Sequence, residues 1–154
     1  MKGRWQIRSN VKITVRDLEG KVLDVQEFHN LLTTVGLNMI RDVLAADVSD
    51  GETKYTAVGS DATVPALADT TLGTETFRKA TTSTSKPGTG AFTHVVYIAP
   101  AEAVGAIEEI GWFCGAAAGA GADSGILLSR VLFSRVKTNL ESIQVERTDT
   151  FAEA

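Results

Sequence analysis

The segment WQIRSNVKITVRD, residues 5–17, indicates the fold class because its apolar side chains stand at alternate positions. These apolar residues are all odd-numbered: Trp5, Ile7, Val11, Ile13 and Val15. Between Trp5 and Val15, Ser9 is the one polar residue in the odd series. A period of two is typical of a β-strand with one buried face. The segment therefore predicts a half-buried strand.

A second predicted strand follows directly, and the two together indicate an N-terminal hairpin over residues 1–30. LEGK, residues 18–21, predicts a turn around Gly20, and VLDVQEFHN, residues 22–30, resumes a strand pattern. The hairpin could extend as an arm. Because an isolated two-stranded hairpin is marginal in water, we expect it to pack on a sheet or on a neighbouring subunit.

One helix is predicted at about residues 34–46. Thr33 or Thr34 can cap its start by accepting a hydrogen bond from a free backbone amide. Its apolar residues cluster on one face at helical spacing: Val35, Met39, Ile40, Val43 and Leu44. We expect the sheets to wrap around this helix.

The chain after Lys54 reads as strands, loops and turns without βαβ alternation. The predicted strands include KYTAVG (54–59), ETFRKATTSTS (75–85), AFTHVVYIAP (91–100), AIEEIGWF (106–113), ILLSRVLFSRVK (126–137) and LESIQVERTDTF (140–151). A hairpin loop is expected at KPG, residues 86–88, and a flexible loop at GAAAGAGADSG, residues 115–125. AIEEIGWF has an ambiguous register. This pattern predicts a mainly β protein, an antiparallel β-sandwich of jelly-roll or β-tulip-like type, with a single domain at 31–154.

The segment VGSDATVPALADTTLGTE, residues 58–75, predicts a structural loop. It matches neither phosphate-binding glycine motif, and Ser60 lacks the Gly-x-Ser-x-Gly elbow of a nucleophile. Its Ser, Asp and Thr side chains can bond to nearby backbone groups. Leu67 and Leu72 are expected to dock onto the core, which makes the segment an ordered crossover.

No catalytic, cofactor-binding or metal-binding residues are predicted. His29 and His94 are isolated, and Cys114 is the one cysteine, which we expect to be buried. Glu108 and Glu109 are adjacent in a strand, so they point to opposite faces and cannot act together as acid and base. The net charge of −4 argues against general binding of nucleic acid or anionic membranes.

Four segments resemble a family of small tailed-bacteriophage virion proteins. They are GLNMIRDVLAAD (36–47), KYTAVGSDATVPALADTTLGTETFRK (54–79), AEAVGAIEEIGWF (101–113) and SGILLSRVLFSRVKTNLESIQVERTDTF (124–151). The resemblance implies a structural protein of the virion, made in the host cytoplasm, with no active site. Two placements follow from it. One is a trimeric capsid decoration (cement) protein that binds the major capsid protein on the expanded shell, and the other is a tail protein at the baseplate or a fibre attachment.

Candidate inter-subunit contacts lie in the N-terminal arm and just after it. The arm carries Lys2, Arg4, Trp5, Arg8, Lys12 and Arg16, whose basic side chains are expected to face an acidic neighbour. The alternative is a solvated strand face with one exposed tryptophan. Trp5, Leu31 and Leu32 are the apolar residues expected to be covered on assembly. A carbohydrate-binding module that uses Trp112 is the rival from another class, although burial of Trp112 in its apolar strand is favoured.

Overall fold

A computed structural model describes residues 3–154, within which the chain forms nine β-strands and one α-helix. The strands are β1 (Trp5–Asp17), β2 (Val22–Asn30), β3 (Thr53–Gly59), β4 (Glu75–Ala80), β5 (Ser83–Gly88), β6 (Ala91–Ile98), β7 (Gly105–Cys114), β8 (Ile126–Lys137) and β9 (Glu141–Glu153). The helix α1 spans Thr34–Leu44.

The strands form two antiparallel sheets that pack face to face. The five-stranded sheet has the order β2-β1-β9-β6-β5, and the four-stranded sheet has the order β4-β3-β7-β8. Every strand pair in both sheets is antiparallel. The predicted class, a mainly β antiparallel sandwich with one helix, is confirmed.

β1 follows the predicted alternation and lies inside the five-stranded sheet. Its odd-numbered residues Val11, Ile13 and Val15 are each 1% exposed and pack between the sheets. β1 pairs with β2 on one side and with β9 on the other, from Trp5 opposite Glu153 to Asp17 opposite Glu141. The predicted hairpin therefore forms, and it packs on a sheet of its own chain, which is one of the two alternatives that the sequence left open.

The segment 75–85, expected to be one strand, is divided between the two sheets. β4 pairs with β3 in the smaller sheet, whereas β5 pairs with β6 in the larger one. The Thr81 amide donates to the Lys54 carbonyl at 2.8 Å, and the Thr82 amide donates to the Val95 carbonyl at 2.8 Å, so the chain crosses between the sheets here. The turn also lies later than predicted: residues 86–88 belong to β5, and Gly90 turns the chain with φ +69°.

Both faces of the smaller sheet are covered, which explains the ambiguous pattern of β7. The main core between the sheets includes Ile107, Ile110 and Trp112. The outer face holds a second core of Ala57, Leu72, Phe113, Ala118 and Leu127. The strand pairing shifts register between Ile107 and Glu109. A bulge of this kind reverses the facing of the residues beyond it, so simple alternation fails.

The loop at residues 60–74 is held against the smaller sheet by the buried carboxylate of Glu109. Its oxygens accept hydrogen bonds from the backbone amides of Asp61 at 3.3 Å, Gly73 at 3.0 Å and Thr74 at 2.8 Å. The guanidinium of Arg130 neutralises the carboxylate through a 2.5 Å contact. The expected ordered crossover is thus anchored from β7, and Glu109 has a structural role.

Two leucines of this loop have different environments. Leu72 is 3% exposed and belongs to the outer core, as expected. Leu67 is 51% exposed, so the expectation that it docks onto the core is wrong. Its backbone carbonyl accepts a hydrogen bond from the Thr34 amide at 2.8 Å, which places Leu67 beside the start of α1.

The glycine- and alanine-rich loop at residues 115–125, expected to be flexible, is anchored by Arg78. One guanidinium nitrogen, Nη1, donates to the carbonyl oxygens of Gly119 and Ser124 at 2.9 and 3.0 Å. Arg78 is in turn paired with Glu75 at 2.6 Å and lies 4.4 Å from the centre of the Phe113 ring. The small residues let the loop lie flat on the sheet, and a buried cation fixes it there.

Helix α1 begins as predicted but lies at the edge of the sandwich. The Thr33 hydroxyl caps it by accepting from the Gly36 amide at 3.0 Å. Gly36 is the buried residue of the helix and packs directly on the backbone of Leu128 in β8. Leu44 is 75% exposed. The expectation that the sheets wrap the helix is wrong, since most of its apolar face borders an open surface.

Candidate functional site

An apolar surface lies at the end of the sandwich where β1 begins and β9 ends. We call it the apolar end surface and define it by Trp5, Leu31, Leu37, Ile40, Leu44, Leu67 and Phe151. These side chains line a groove of about 550 Å³. Trp5 is 73% exposed, Leu31 67% and Leu44 75%, so most of the apolar area faces solvent.

Five parts of the chain meet to form this surface. Trp5 pairs with Glu153, which brings the start of β1 beside the end of β9. β2 ends at Asn30, whose amide Nδ2 donates to the Ser129 hydroxyl at 2.6 Å and places Leu31 next to β8. Thr33 then starts α1, and the Thr34 amide holds the loop at Leu67. The fold therefore brings side chains that are distant in the sequence together in one surface.

The exposed apolar residues of this surface adjoin one another, which distinguishes them from exposed apolar residues that stand singly. Single exposed leucines are normal in soluble proteins, but a continuous apolar groove typically marks a site of interaction. Other exposed apolar residues lie outside the groove, among them Leu140, 61% exposed, in the β8–β9 turn at the opposite end of the sandwich. We therefore regard the end surface as the candidate functional site.

The structure divides the residues predicted as inter-subunit contacts into four groups, the last of which is formed by the basic residues of the arm. Trp5 and Leu31 lie on the end surface. Leu32 is 8% exposed and packs in the main core, which leaves almost none of its side chain available to a partner. Lys2 lies outside the described residues.

The basic residues of the predicted arm do not join Trp5. Arg8, Lys12 and Arg16 have even numbers in β1, so they point to the outer face of the larger sheet, away from the odd-numbered core residues. Arg4, which is exposed, lies just before the strand. Lys12 stands between Glu27 of β2 and Glu146 of β9 in the strand register. Its nearest acidic neighbours are therefore in its own sheet.

Five residues of the surface were missed by the sequence prediction, among them Leu37, to which it gave no role. Ile40 and Leu44 were assigned to the buried face of α1, and Leu67 was assigned to the core. Phe151 was placed at the end of the last strand without a role. Hydrophobic periodicity shows that such residues share a face, but it carries no information on whether the fold covers that face.

A cavity of about 450 Å³ lies behind the end surface and shares its apolar wall. It is bordered by α1, by the β6 residues Phe92 and His94, and by the β9 residues Arg147 and Asp149. Arg147 is fully buried and pairs with Asp149 at 2.9 Å, and its guanidinium lies 5.0 Å from the centre of the Trp112 ring. Arg147 also donates to the Ser129 hydroxyl.

The ionisation of Asp149 is governed by these partners. Burial on its own would raise the pKa of Asp149, but the nearby His94 ring, 3.6 Å away, and the charge and hydrogen bonds of Arg147 outweigh it and hold the pKa well below the usual value. Asp149 is therefore a carboxylate that balances Arg147. The sequence analysis did not predict this ion pair. Arg147 and Asp149 are two positions apart, like any two neighbours on one face of a strand, so their spacing does not indicate that they pair.

Cys114 and Trp112 have the environments that the sequence favoured. Cys114 is 1% exposed, and burial raises the pKa of its thiol to about 11. Trp112 is 1% exposed and lies in the main core, so its ring is not available to stack on a sugar.

No protein-family model, curated protein or solved structure matches the chain. Across residues 3–154, no group of three or more His, Cys, Asp and Glu side chains is arranged to hold a metal ion. Within the same range, no helix is long and apolar enough to span a membrane.

Proposed function

We propose that the protein is a structural component of a tailed-bacteriophage virion and that it decorates the outside of the expanded capsid. The observation that carries the proposal is the apolar end surface, which is continuous, largely exposed and built from five separate parts of the chain. The resemblance of roughly residues 30–151 to small phage virion proteins supplies the class of partner, the major capsid protein.

The form of the molecule suits a binding role. The apolar residues of the end surface are carried by ends of strands and by a capped helix, so they lose little freedom on binding. Burial of their exposed area would provide the main favourable free energy of association. Trp5 and Leu31, at 73% and 67% exposed, are expected to contribute most.

Stabilisation of the shell would follow from mass action. A protein that binds the expanded shell and not its precursor lowers the free energy of the expanded form in proportion to the sites occupied. Assembly as a homotrimer would link three end surfaces, so that modest individual contacts combine into firm attachment. No catalytic step or cofactor is part of this proposal.

Co-sedimentation with expanded capsids that lack the protein tests the proposal. We expect saturable binding at a fixed ratio to the major capsid protein and no binding to unexpanded shells. Analytical ultracentrifugation of the free protein should give the mass of a trimer. Binding to purified tails instead of shells would overturn decoration and place the protein in the tail, whereas binding only to glycans would indicate a carbohydrate-binding module.

A matched pair of variants tests the surface. Leu31→Ser removes an apolar side chain from the end surface, and Leu140→Ser removes one of similar exposure, 61% against 67%, at the opposite end. We expect Leu31→Ser to weaken capsid binding about tenfold, which corresponds to roughly 1.4 kcal/mol, and Leu140→Ser to leave it unchanged. Equal effects of the two substitutions would contradict this location of the binding surface.

A further inference from the structure

The cavity behind the end surface is a cleft that is partly enclosed by α1 and the strands and partly open to solvent. The cavity here is about 450 Å³, which falls within the range of roughly 300–1,000 Å³ that is typical of small-molecule sites.

The walls of the cavity are aliphatic and aromatic. Met39, Ile40 and Val43 of α1 form one side, and residues of the strands, including Ile7 and Phe92, form the other. A wall of this composition favours an alkyl chain, because each buried methylene contributes by leaving water and needs no polar partner.

The floor of the cavity is polar but carries no net charge from its ion pair. Arg147 and Asp149 neutralise one another through contacts of 2.9–3.1 Å. Glu52 also lines the cavity but is exposed to solvent, so a charged head group on the floor would be desolvated without a buried opposite charge free to pair with it, which is costly. The floor therefore favours an uncharged head group.

His94 decides which uncharged head group fits. Its side chain is 3% exposed and borders the cavity, and neither ring nitrogen has a hydrogen-bond partner among residues 3–154. Nε2 lies 3.6 Å from Oδ2 of the Asp149 carboxylate. Nε2 is therefore the nitrogen that faces the carboxylate, and Nδ1 is a buried polar atom without a partner in the described part of the chain.

We propose that this cavity binds an uncharged aliphatic molecule with a hydroxyl head group, such as a fatty alcohol. The alkyl chain lies along α1, and the hydroxyl donates to Nδ1 of His94. A fatty carboxylate cannot donate and would add a negative charge near Asp149, and an alkylammonium would add a positive charge near Arg147. The proposal does not depend on the proposed function, since His94, which would hold the head group, lines the cavity and not the groove of the end surface.

Binding of 1-octanol, octanoate and octylammonium, which share one alkyl tail, tests the head-group preference. The readouts are isothermal titration calorimetry and the fluorescence of Trp112 in a Trp5→Phe background, where Trp112 is the sole tryptophan. We expect saturable binding of 1-octanol with one site per chain, and binding of the two charged molecules at least about tenfold weaker. Equal affinity for all three, or no saturable binding of 1-octanol, would overturn the proposal.

Three variants separate the cavity from the rest of the molecule. His94→Phe keeps a ring and removes the acceptor, so it should weaken 1-octanol binding about tenfold, whereas His29→Phe on the exposed face of β2 should not. Val43→Trp should fill the mouth of the cavity and abolish binding while the thermal unfolding transition is retained. Unchanged binding in either His94→Phe or Val43→Trp would contradict the assignment.

Leu31→Ser distinguishes this site from the exposed rim. Leu31 lines the groove of the end surface but not the cavity. We expect Leu31→Ser to retain full 1-octanol affinity even though it weakens capsid binding. Loss of 1-octanol binding in this variant would show that the alcohol adsorbs to the outer groove and would overturn the cavity site without affecting the proposed function.

Discussion

Glu109 is a fully buried carboxylate whose charge is matched by three backbone amides and Arg130. Arg130 also pairs with Asp69 at 3.2 Å and donates to the Asp61 carbonyl at 3.4 Å, so one cation links the sheet to two parts of the crossover loop. A buried ion pair contributes little to stability relative to an apolar pair, but removal of one partner leaves the other charge uncompensated. The loop is therefore sensitive to the loss of Glu109.

Glu109→Gln is expected to lower the free energy of unfolding by about 3 kcal/mol, because Arg130 loses its charged partner in a site closed to solvent. Equilibrium unfolding in urea, followed by circular dichroism, measures the change. Glu108→Gln is the matched control, since Glu108 is the adjacent residue and is only half-buried. If both variants lose the same stability, the buried network does not anchor the loop.

Gly36 allows α1 to lie directly on β8. A Cβ atom at this position would stand 2.5 Å from the carbonyl oxygen of Leu128, a backbone atom that cannot turn aside. In an exposed helix, a change from glycine to alanine would stabilise by about 1 kcal/mol. Here the clash opposes that gain and should exceed it.

Gly36→Ala is therefore expected to be destabilising, by about 2 kcal/mol, as is typical when a packed core is overfilled. Thermal and urea unfolding give the sign directly. Gly121→Ala serves as the control, because a Cβ atom at Gly121 meets nothing within 4 Å. A stabilised Gly36→Ala variant would mean that α1 does not approach β8 as closely as described.

Helix α1 shows which features of an element a sequence pattern can predict and which it cannot. Its start at Thr34 and its apolar face were predicted, because capping and the spacing of residues are local properties. Its place at the edge was not, because the pattern of Met39, Ile40 and Val43 is the same whether they face a core or border a cavity. The candidate functional site includes residues of this helix whose exposure the sequence pattern does not determine.

The loop at residues 115–125, which connects β7 to β8, is a second case in which the sequence pattern did not predict the environment. Its glycines and alanines predicted flexibility, since small side chains offer few contacts. The residues that hold it, Glu75 and Arg78, lie about 40 positions earlier in the chain and become its neighbours only through the pairing of β4, β3 and β7. Long-range contacts of this kind cannot be predicted from local composition.

Arg78→Ala is expected to release this loop and also to lower the stability of the fold, because the buried carboxylate of Glu75 loses its charged partner. The guanidinium donates to the Gly119 and Ser124 carbonyls, so its loss should speed amide hydrogen exchange between residues 119 and 124 by about tenfold or more. Hydrogen exchange with mass spectrometry resolves this segment. Lys79→Ala, which breaks the more exposed pair with Glu102, should leave the exchange of the loop unchanged. Similar exchange in both variants would contradict anchoring by Arg78.

Across the whole molecule, the sandwich class could be predicted and the partition of strands between sheets could not. Alternation in β1 and the scarcity of helical pattern were sufficient for the class. Segment 75–85 reads as one strand, and only pairing with Lys54 and Val95 shows that it crosses from one sheet to the other. The end surface depends on that three-dimensional arrangement, which explains why only Trp5 and Leu31 of its residues were predicted.

The carboxylates that are paired in the fold together determine how the free energy of unfolding changes at acid pH. Hydrogen bonds from Arg135 lower the pKa of Glu141. Burial would raise the pKa of Glu75 and Asp149, but their arginine partners, together with His94 for Asp149, lower it. A carboxylate whose pKa is lowered in the folded state stabilises the fold above its ordinary pKa, and that contribution is lost as the pH falls toward the folded pKa. Asp123, whose pKa is raised by burial and by Glu75, acts in the opposite direction.

Because the lowered carboxylates outnumber Asp123, we expect the free energy of unfolding to be nearly constant from neutral pH to about 5 and to fall steeply below about pH 4. Urea unfolding at a series of pH values measures this curve. Glu141→Gln should lower stability at neutral pH and flatten the acid limb, since Glu141 contacts Arg135 at 2.6 Å and is largely buried. Glu27→Gln, at an exposed position of β2, should change neither. An acid limb that is equally steep in Glu141→Gln would show that the pair with Arg135 does not contribute to the pH dependence.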